Sequence, residues 1–378
     1  MVVSKLCWLL LEMILLVLFA WFGSSAALGL GIALVLIPLF SVVVNLSVRK
    51  KLDISMDGAV NQRKKETGEV CITLHNPTVF PVMRVRCKMV ARNLLNGEIQ
   101  VFTADTALPM KGNTPLKIQV GSSYCGRIKI CTPSIRLYDC FGLIGIICKS
   151  DVRIHTTVQP DTFETNVTLH PNAHSYGESD VYAQDRPGDD LTETYQIREY
   201  VPGDSPRQVH WKLSSKFDRL IVRDPALPIT RNVLVFWERT GQSEDRELTD
   251  AQAEIIVSLC QNLLEQAIPF TIGWNDTDRN LCVLYEIGDL ETFVSVIPRL
   301  MSAAGKKDGI SGADLLVRTR PDALCGHMLY LAQTVQSEVM QMQQFGCVTV
   351  LTCGNLVACD GITFDATNYS RQLSKIDV

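Results

Sequence analysis

The chain lacks a cysteine framework. Its 13 cysteines are odd in number, have no regular spacing and include no Cys-x-x-Cys. That argues against a disulfide-stapled secreted fold and suits a compartment where thiols stay reduced. Cys347, Cys353 and Cys359 recur at intervals of six. This places Cys347 and Cys353 on one face of a strand, where free cysteine is expected as a small buried core residue and not as a metal ligand. Basic excess is missing too. A formal net charge of −4 leaves no electrostatic footprint for nucleic acid. There is no P-loop, no Gly-x-Ser-x-Gly elbow and no dinucleotide fingerprint, so the common nucleotide and acyl-transfer motifs are excluded. His170 and His174 share a stretch with Pro171 and lack the glutamate of a zinc-protease helix, so no zinc site is expected. No cofactor is expected at all.

What the chain does have is two apolar runs back to back. Leu6 to Phe22 is interrupted only by Glu12, and Ala26 to Val48 contains only Ser41, Asn45 and Ser47 as polar residues. About 20 apolar residues cross the hydrocarbon of a bilayer as a helix. Gly23-Ser24-Ser25 can only turn between them, so residues 1–51 read as a transmembrane helical hairpin. Lys5 precedes the first run and Arg49-Lys50-Lys51 closes the second. Positive charge is retained inside, which makes this a multi-pass cell-membrane protein with cytoplasmic soluble domains. Glu12 costs about 2–3 kcal/mol at mid-membrane. About ten large apolar neighbours offset it, at roughly −0.3 to −0.6 kcal/mol each. The alternative is a cleaved signal peptide with Ser24-Ser25-Ala26 as the processing site, which still leaves the second run as an anchor. Gly29-Leu30-Gly31 suits close helix packing. Arg63, Lys64 and Lys65 read as a solvated turn, with anionic headgroups as the alternative contact.

Beyond the hairpin the pattern changes twice. Residues 52–165 read as short strands. Val70–Leu74 ends at His75-Asn76-Pro77, Val82–Val90 alternates, and Asn96-Gly97 is a hairpin turn. Further strands fit Leu116–Val120, Gly126–Thr132 and Leu143–Lys149, which together suggest an antiparallel β-sandwich. Residues 166–230 are dense in Pro, Gly, Asp and Arg, and Arg186-Pro187-Gly188-Asp189-Asp190 reads as a solvated turn. Tyr176, Tyr182, Tyr195, Tyr200 and Trp211 argue against disorder there. Residues 231–378 alternate continuous apolar strands (Asn232–Trp237, Phe270–Trp274, Leu281–Ile287, Met328–Ala332, Cys347–Cys353, Gly361–Phe364) with helical faces over Glu247–Ala267, Leu290–Ala303 and Val335–Phe345. That alternation argues for an α/β domain with a mostly parallel sheet covered on both faces.

One stretch is far more specific than the rest. Arg198-Glu199-Tyr200, Pro202-Gly203-Asp204, Arg207 and Trp211-Lys212 stand at fixed short intervals, and upstream lie Gly126-Arg127 and Asp139-Cys140-Phe141-Gly142-Leu143. This pattern resembles the hallmark of the membrane-anchored bacterial family catalogued as domain of unknown function 58. The upstream element is similar to that family's Asp-Pro-Phe-Gly-Leu segment, with Cys140 in place of Pro. The resemblance covers nearly the whole chain. It implies a von Willebrand factor A-like (Rossmann-like) C-terminal domain. As partners it implies a MoxR-type AAA+ ATPase and a membrane protein with a transglutaminase-like domain.

Pro202-Gly203 suits a tight turn. Asp204 can cap the next turn or accept from Arg207, and Arg198, Glu199, Arg207 and Lys212 can form an ion-pair network around Tyr200 and Trp211. The same residues can instead present a recognition surface. A third reading, acid-base chemistry by Glu199, Asp204 and His210, lacks a marked nucleophile or metal. Von Willebrand factor A-like domains often hold Mg²⁺ on an Asp-x-Ser-x-Ser loop after the first strand. Here that loop reads Trp237-Glu238-Arg239-Thr240-Gly241-Gln242-Ser243. Glu238, Thr240 and Ser243 are the remaining candidates for a hard cation, and Arg239 would set a positive charge beside it. The expectation is a non-enzymatic, membrane-tethered adaptor or assembly protein. The alternatives are a divalent-metal-dependent protein-binding module and, behind it, a hydrolase.

Overall fold

The computed structural model describes residues 2–23, 25–58, 61–168, 182–228, 233–324, 326–334, 339–353 and 361–377. The chain divides into two compact units, Met1–Gln159 and Pro160–Val378.

The first unit begins with helices α1 (Val2–Phe22) and α2 (Ser25–Lys51), both long and apolar enough to cross a membrane. They pack on each other, and Trp8 Nε1 donates to the Leu34 carbonyl at 3.4 Å. The residues of α2 with little exposure, Ala27, Gly31, Pro38, Asn45 and Val48, recur every three to seven positions along one seam. At 1.5 Å per residue its 27 residues extend about 40 Å, more than the roughly 30 Å of hydrocarbon. Its last turns belong to the sandwich. Val48 is fully buried in one core with Ile72, Leu74, Val85, Met89 and Leu137, and Asn45 Nδ2 donates to the Tyr138 carbonyl at 2.9 Å. The helix runs up to the expected boundary at residue 51, and its last turns pack in the sandwich core.

The rest of the unit is β1 (Asp53–Gly58), β2 (Asn61–Gln62), β3 (Thr67–Asn76), β4 (Val82–Asn93), β5 (Ile99–Leu108), β6 (Gly112–Gly121), β7 (Gly126–Tyr138), β8 (Gly145–Lys149) and β9 (Arg153–Val158). One sheet runs β1-β3-β6. The other runs β2-β9-β7-β4-β5, with β8 on β7. Alternate residues of β3 (Val70, Ile72, Leu74) and β4 (Val85, Cys87, Met89, Ala91) are buried, and the two sheets close over this shared core. The expected sandwich is present, and its ladders are antiparallel apart from the short β2–β9 pair. The hairpin at Asn96-Gly97 joins β4 to β5, with Asn93 N–H donating to Glu98 O at 2.8 Å. β1 and β9 were not expected. β1 alternates, with Ile54 and Met56 packed on the core, but over only six residues, and β9 is largely polar.

The second unit contains β10 (Asn166–Thr168), β11 (Tyr182–Glu199), α3 (Trp211–Phe217), β12 (Ile221–Pro228), β13 (Val233–Trp237), α4 (Arg246–Glu265), β14 (Phe270–Asp276), β15 (Leu281–Ile287), α5 (Leu290–Leu300), α6 (Gly312–Thr319), β16 (Gly326–Ala332), α7 (Val339–Met342), β17 (Gly346–Thr352), β18 (Gly361–Thr363), α8 (Tyr369–Gln372) and β19 (Lys375–Asp377). Its main sheet has the order β15-β14-β13-β16-β17-β18, parallel except for β15. Every residue of β13 is buried, as a central strand covered on both faces requires. α4 is buried on most of its circumference. One side offers Gln252 Oε1 to Trp237 Nε1 at 3.2 Å, and another takes Val167 N–H onto Asn262 Oδ1 at 3.0 Å.

Three expectations need correction here. Arg186–Asp190 is no turn: its backbone lies inside β11, where shifts in register against β12 accommodate Pro187. Cys347 is exposed, so it does not share a buried face with Cys353, and Cys359 lies outside the described residues. The helix expected over Val335–Phe345 is a single turn at Val339–Met342 among the described residues. His170 and His174 also lie outside them.

Candidate functional site

The hallmark residues fold into one small substructure built on the antiparallel pair β11–β12. Arg198, near the end of β11, is paired with Val222 across the ladder. Its guanidinium forks onto Asp204, Nη1 to Oδ2 at 2.7 Å and Nη2 to Oδ1 at 2.8 Å, while Nε reaches Asp224 Oδ2 at 3.0 Å. Gln196 Nε2 adds 2.9 Å to the same Asp224 oxygen. A planar guanidinium matches this bidentate geometry as lysine cannot. Asp204 Oδ2 also accepts from Val201 N–H at 2.8 Å, and Asp204 N–H returns to the Val201 carbonyl at 3.0 Å. Gly203 closes this turn at φ +114°, where a side chain is strained. The Arg198 hydrogen bonds, and then that of Val201, hold the Asp204 carboxyl down at about 2.

From the turn the chain returns to the ladder. Tyr200 N–H donates to Leu220 O at 3.0 Å and His210 N–H to Ile221 O at 2.8 Å. His210 is the N-cap of α3, its Nδ1 accepting from Leu213 N–H at 3.4 Å. Ser214, buried on the inner face of α3, accepts from Ile221 N–H at 2.9 Å. Glu199 pairs with Arg219.

The expected network is thus only partly formed. Asp204 takes Arg198 and not Arg207, and no ion pair among the described residues engages Arg207 or Lys212. Trp211, expected inside the network, is 67% exposed. Ile197, Val201, Phe217 and Leu220 of the same substructure are exposed as well. Lys212 and Lys216 stand four apart on the outer side of α3, and Arg207 is exposed in the turn before it. The arrangement is a hydrogen-bonded frame with basic and aromatic side chains exposed on its outside. Glu199, Asp204 and His210 are each tied to a different partner, Arg219, Arg198 and the α3 cap. Asp224 and Arg219, which complete the frame, lie outside the motif and carry no sequence signal.

The second candidate site is the carboxyl end of β13. β14 and β15 extend the sheet to one side of β13, and β16 to β18 extend it to the other. Ligands of open α/β sheets collect at such a reversal. Here it is filled by protein. Glu238 is fully buried. Oε1 accepts from Thr240 N–H at 2.8 Å, and Oε2 accepts from Gly312 N–H at 2.6 Å and from the Tyr330 hydroxyl. Burial, then the adjacent Glu238 carboxylate, pushes the Tyr330 phenol well above its ordinary range. Thr240 Oγ1 donates to Ile310 O at 2.9 Å and accepts from Asn275 Nδ2 at 2.8 Å. Ser243 N–H donates to Gln333 Oε1 at 2.5 Å across the reversal. The buried Arg239 guanidinium lies over the Trp237 ring at 4.2 Å, with Nε on the Ala303 carbonyl at 2.8 Å. A hard cation needs several free oxygens. These oxygens already hold protein donors, and a fixed positive charge stands beside them, so Glu238, Thr240 and Ser243 do not fit a divalent-ion site.

No protein-family model matches the chain, and no curated protein matches it. Among solved structures it is similar to a CARDB domain from Pyrococcus furiosus in complex with di-metal ions, at 12% identity over 28% of this chain and 86% of that chain, TM-score 0.22. It is also similar to the Pseudomonas fluorescens alkylpurine DNA glycosylase bound to DNA containing an abasic-site analogue, at 10% identity over 28% of this chain and 30% of that one, TM-score 0.22. A Bacteroides uniformis β-glucuronidase matches at 10% identity over 85% of this chain and 37% of its own, TM-score 0.19. Likenesses this slight transfer neither fold nor chemistry.

Proposed function

We propose that this chain is a membrane-tethered, non-enzymatic adaptor whose hallmark substructure docks a partner protein at the cytoplasmic face. The observation that carries the reading is the division of labour within the motif. Arg198 is spent on holding the frame through Asp204 and Asp224, while Trp211 and Lys212 face outward. A motif that served stability alone would bury its tryptophan. Large aromatic and basic side chains on a rigid support are what protein-binding hot spots are made of. The cytoplasmic side is supported by Lys5 and Arg49-Lys50-Lys51 at the hairpin ends. A von Willebrand factor A-like reading of the second unit is supported by its strand order and its antiparallel third strand. The filled reversal at Glu238 favours docking without a metal over the divalent-ion alternative. The partner that the family resemblance suggests is a MoxR-type AAA+ ATPase, with a transglutaminase-like membrane protein in the same assembly.

The test is photo-crosslinking in intact membranes from a probe placed at position 212. A covalent adduct with an ATPase of this class, lost on Trp211→Ala, is the expected result. A chain that yields no ATPase adduct from any exposed hallmark position refutes the reading.

A further inference from the structure

Glu12 lies midway along α1, about 15 Å from either end. It shares the seam toward α2 with Trp8, Leu15 and Phe19, the residues of that face that are less exposed than their neighbours. Its Oε1 lies 3.5 Å from where a Cβ on Gly31 would stand, so the carboxyl rests against the α2 backbone. Oε2 is buried and has no hydrogen-bond partner. Beside it a cleft of about 260 Å³ opens between the helices, walled by Leu16, Leu28, Ile32 and Leu36. In lipid an ionisable side chain is costly, and an unpaired one more so. Such groups associate helices by finding a donor across the interface.

We infer that the Glu12 cleft receives a transmembrane helix of another protein that carries lysine or arginine at the same depth. The occupant follows from charge complementarity. Between Lys5 and Arg49 this chain has no Lys, Arg or His, so a second copy brings no cation to mid-membrane. Polar side chains of these two helices hold other partners: Trp8 bonds Leu34, Ser41 bonds Cys140, Asn45 bonds Tyr138 and Ser47 bonds Val43. The cleft walls are apolar side chains of both helices, which suit the flank of a third helix, while Glu12 supplies the single polar contact that fixes its depth. The inference rests on the membrane-spanning reading of α1 and α2, but not on the docking role of the hallmark.

The test uses the full chain, donor-labelled, in phosphatidylcholine vesicles, with two acceptor-labelled polyleucine helices that differ by one central lysine. Energy transfer is expected to report about tenfold tighter association of the lysine helix. Glu12→Leu should abolish that preference, and Glu12→Gln should leave part of it. No preference in the wild-type chain, or a preference that survives Glu12→Leu, overturns the inference. So does self-association of labelled chains that disappears with Glu12→Leu, because it assigns the cleft to a second copy. Resistance to alkaline extraction separates the two levels. If the wild-type chain is extracted, the membrane reading fails and takes this inference with it. If it is retained and shows no lysine preference, only the inference fails.

Discussion

The Asn45 side chain, on a helix long enough to span a bilayer, donates to the backbone carbonyl of Tyr138 at the end of a sandwich strand, 2.9 Å away and buried. Together with Val48 in the sandwich core, this bond makes α2 a structural element of the soluble unit and not a flexible leash. Asn45→Leu improves the hydropathy of the helix but removes the bond to the Tyr138 carbonyl. The sandwich is expected to lose about 0.5–1.5 kcal/mol, read as a lower denaturation midpoint in detergent with membrane insertion unchanged. A midpoint equal to wild type means the bond holds nothing.

Arg198 and Asp204 give the hallmark a pH signature. The Asp204 carboxyl is lowered from its ordinary 3.8 to about 2 by Arg198. A depressed carboxyl stabilises the fold above its unfolded value, so this contribution is complete above about pH 4 and fades as pH falls toward 2. Carboxyl chemical shifts should place the Asp204 titration well below the ordinary aspartate value. Arg198→Lys, which keeps the charge and loses the fork, should move it back up. An unmoved titration in Arg198→Lys removes the fork as its cause.

Glu238 tests whether the sheet reversal is a built polar hub. Glu238→Gln keeps the shape but sets an amide that donates against Gly312 N–H, Thr240 N–H or the Tyr330 hydroxyl. A loss of about 2–3 kcal/mol is expected from a buried charged acceptor, seen as a fall in Tm. Millimolar Mg²⁺ or Mn²⁺ should leave the wild-type Tm where it is. A rise with either ion restores the metal site.

Trp211 should behave in the opposite way. With 67% of it exposed, Trp211→Ala is expected to change stability by less than about 0.5 kcal/mol while it disrupts partner capture. A large fall in Tm would assign Trp211 to the frame and remove the main support for a docking surface.

Much of the architecture is legible in the order of residues, because burial imposes periods. The long apolar runs specify helices long enough to cross a bilayer, the alternation in Val82–Val90 and the Asn96-Gly97 turn specify a hairpin, and the uniformly apolar Val233–Trp237 specifies a central strand. What has no period stays hidden. β11 and β12 are rich in Pro, Asp and Arg and carry register shifts, so their pairing is held by a ladder that composition does not announce. α6 is only eight residues long, too short a stretch to stand out from the sequence around it.

The sequence by itself determined the apolar helix pair, the succession of sheet types and the cluster of charged and aromatic residues from Arg198 to Lys212, since each depends on local spacing and side-chain chemistry. Only the tertiary structure decided that Arg198 bonds Asp224, 26 residues away, that Trp211 faces outward, and that Glu238 is closed by Gly312 and Tyr330. Those contacts join residues far apart in the chain, and a hydrogen bond is selected by where the fold brings a donor, which no local pattern encodes.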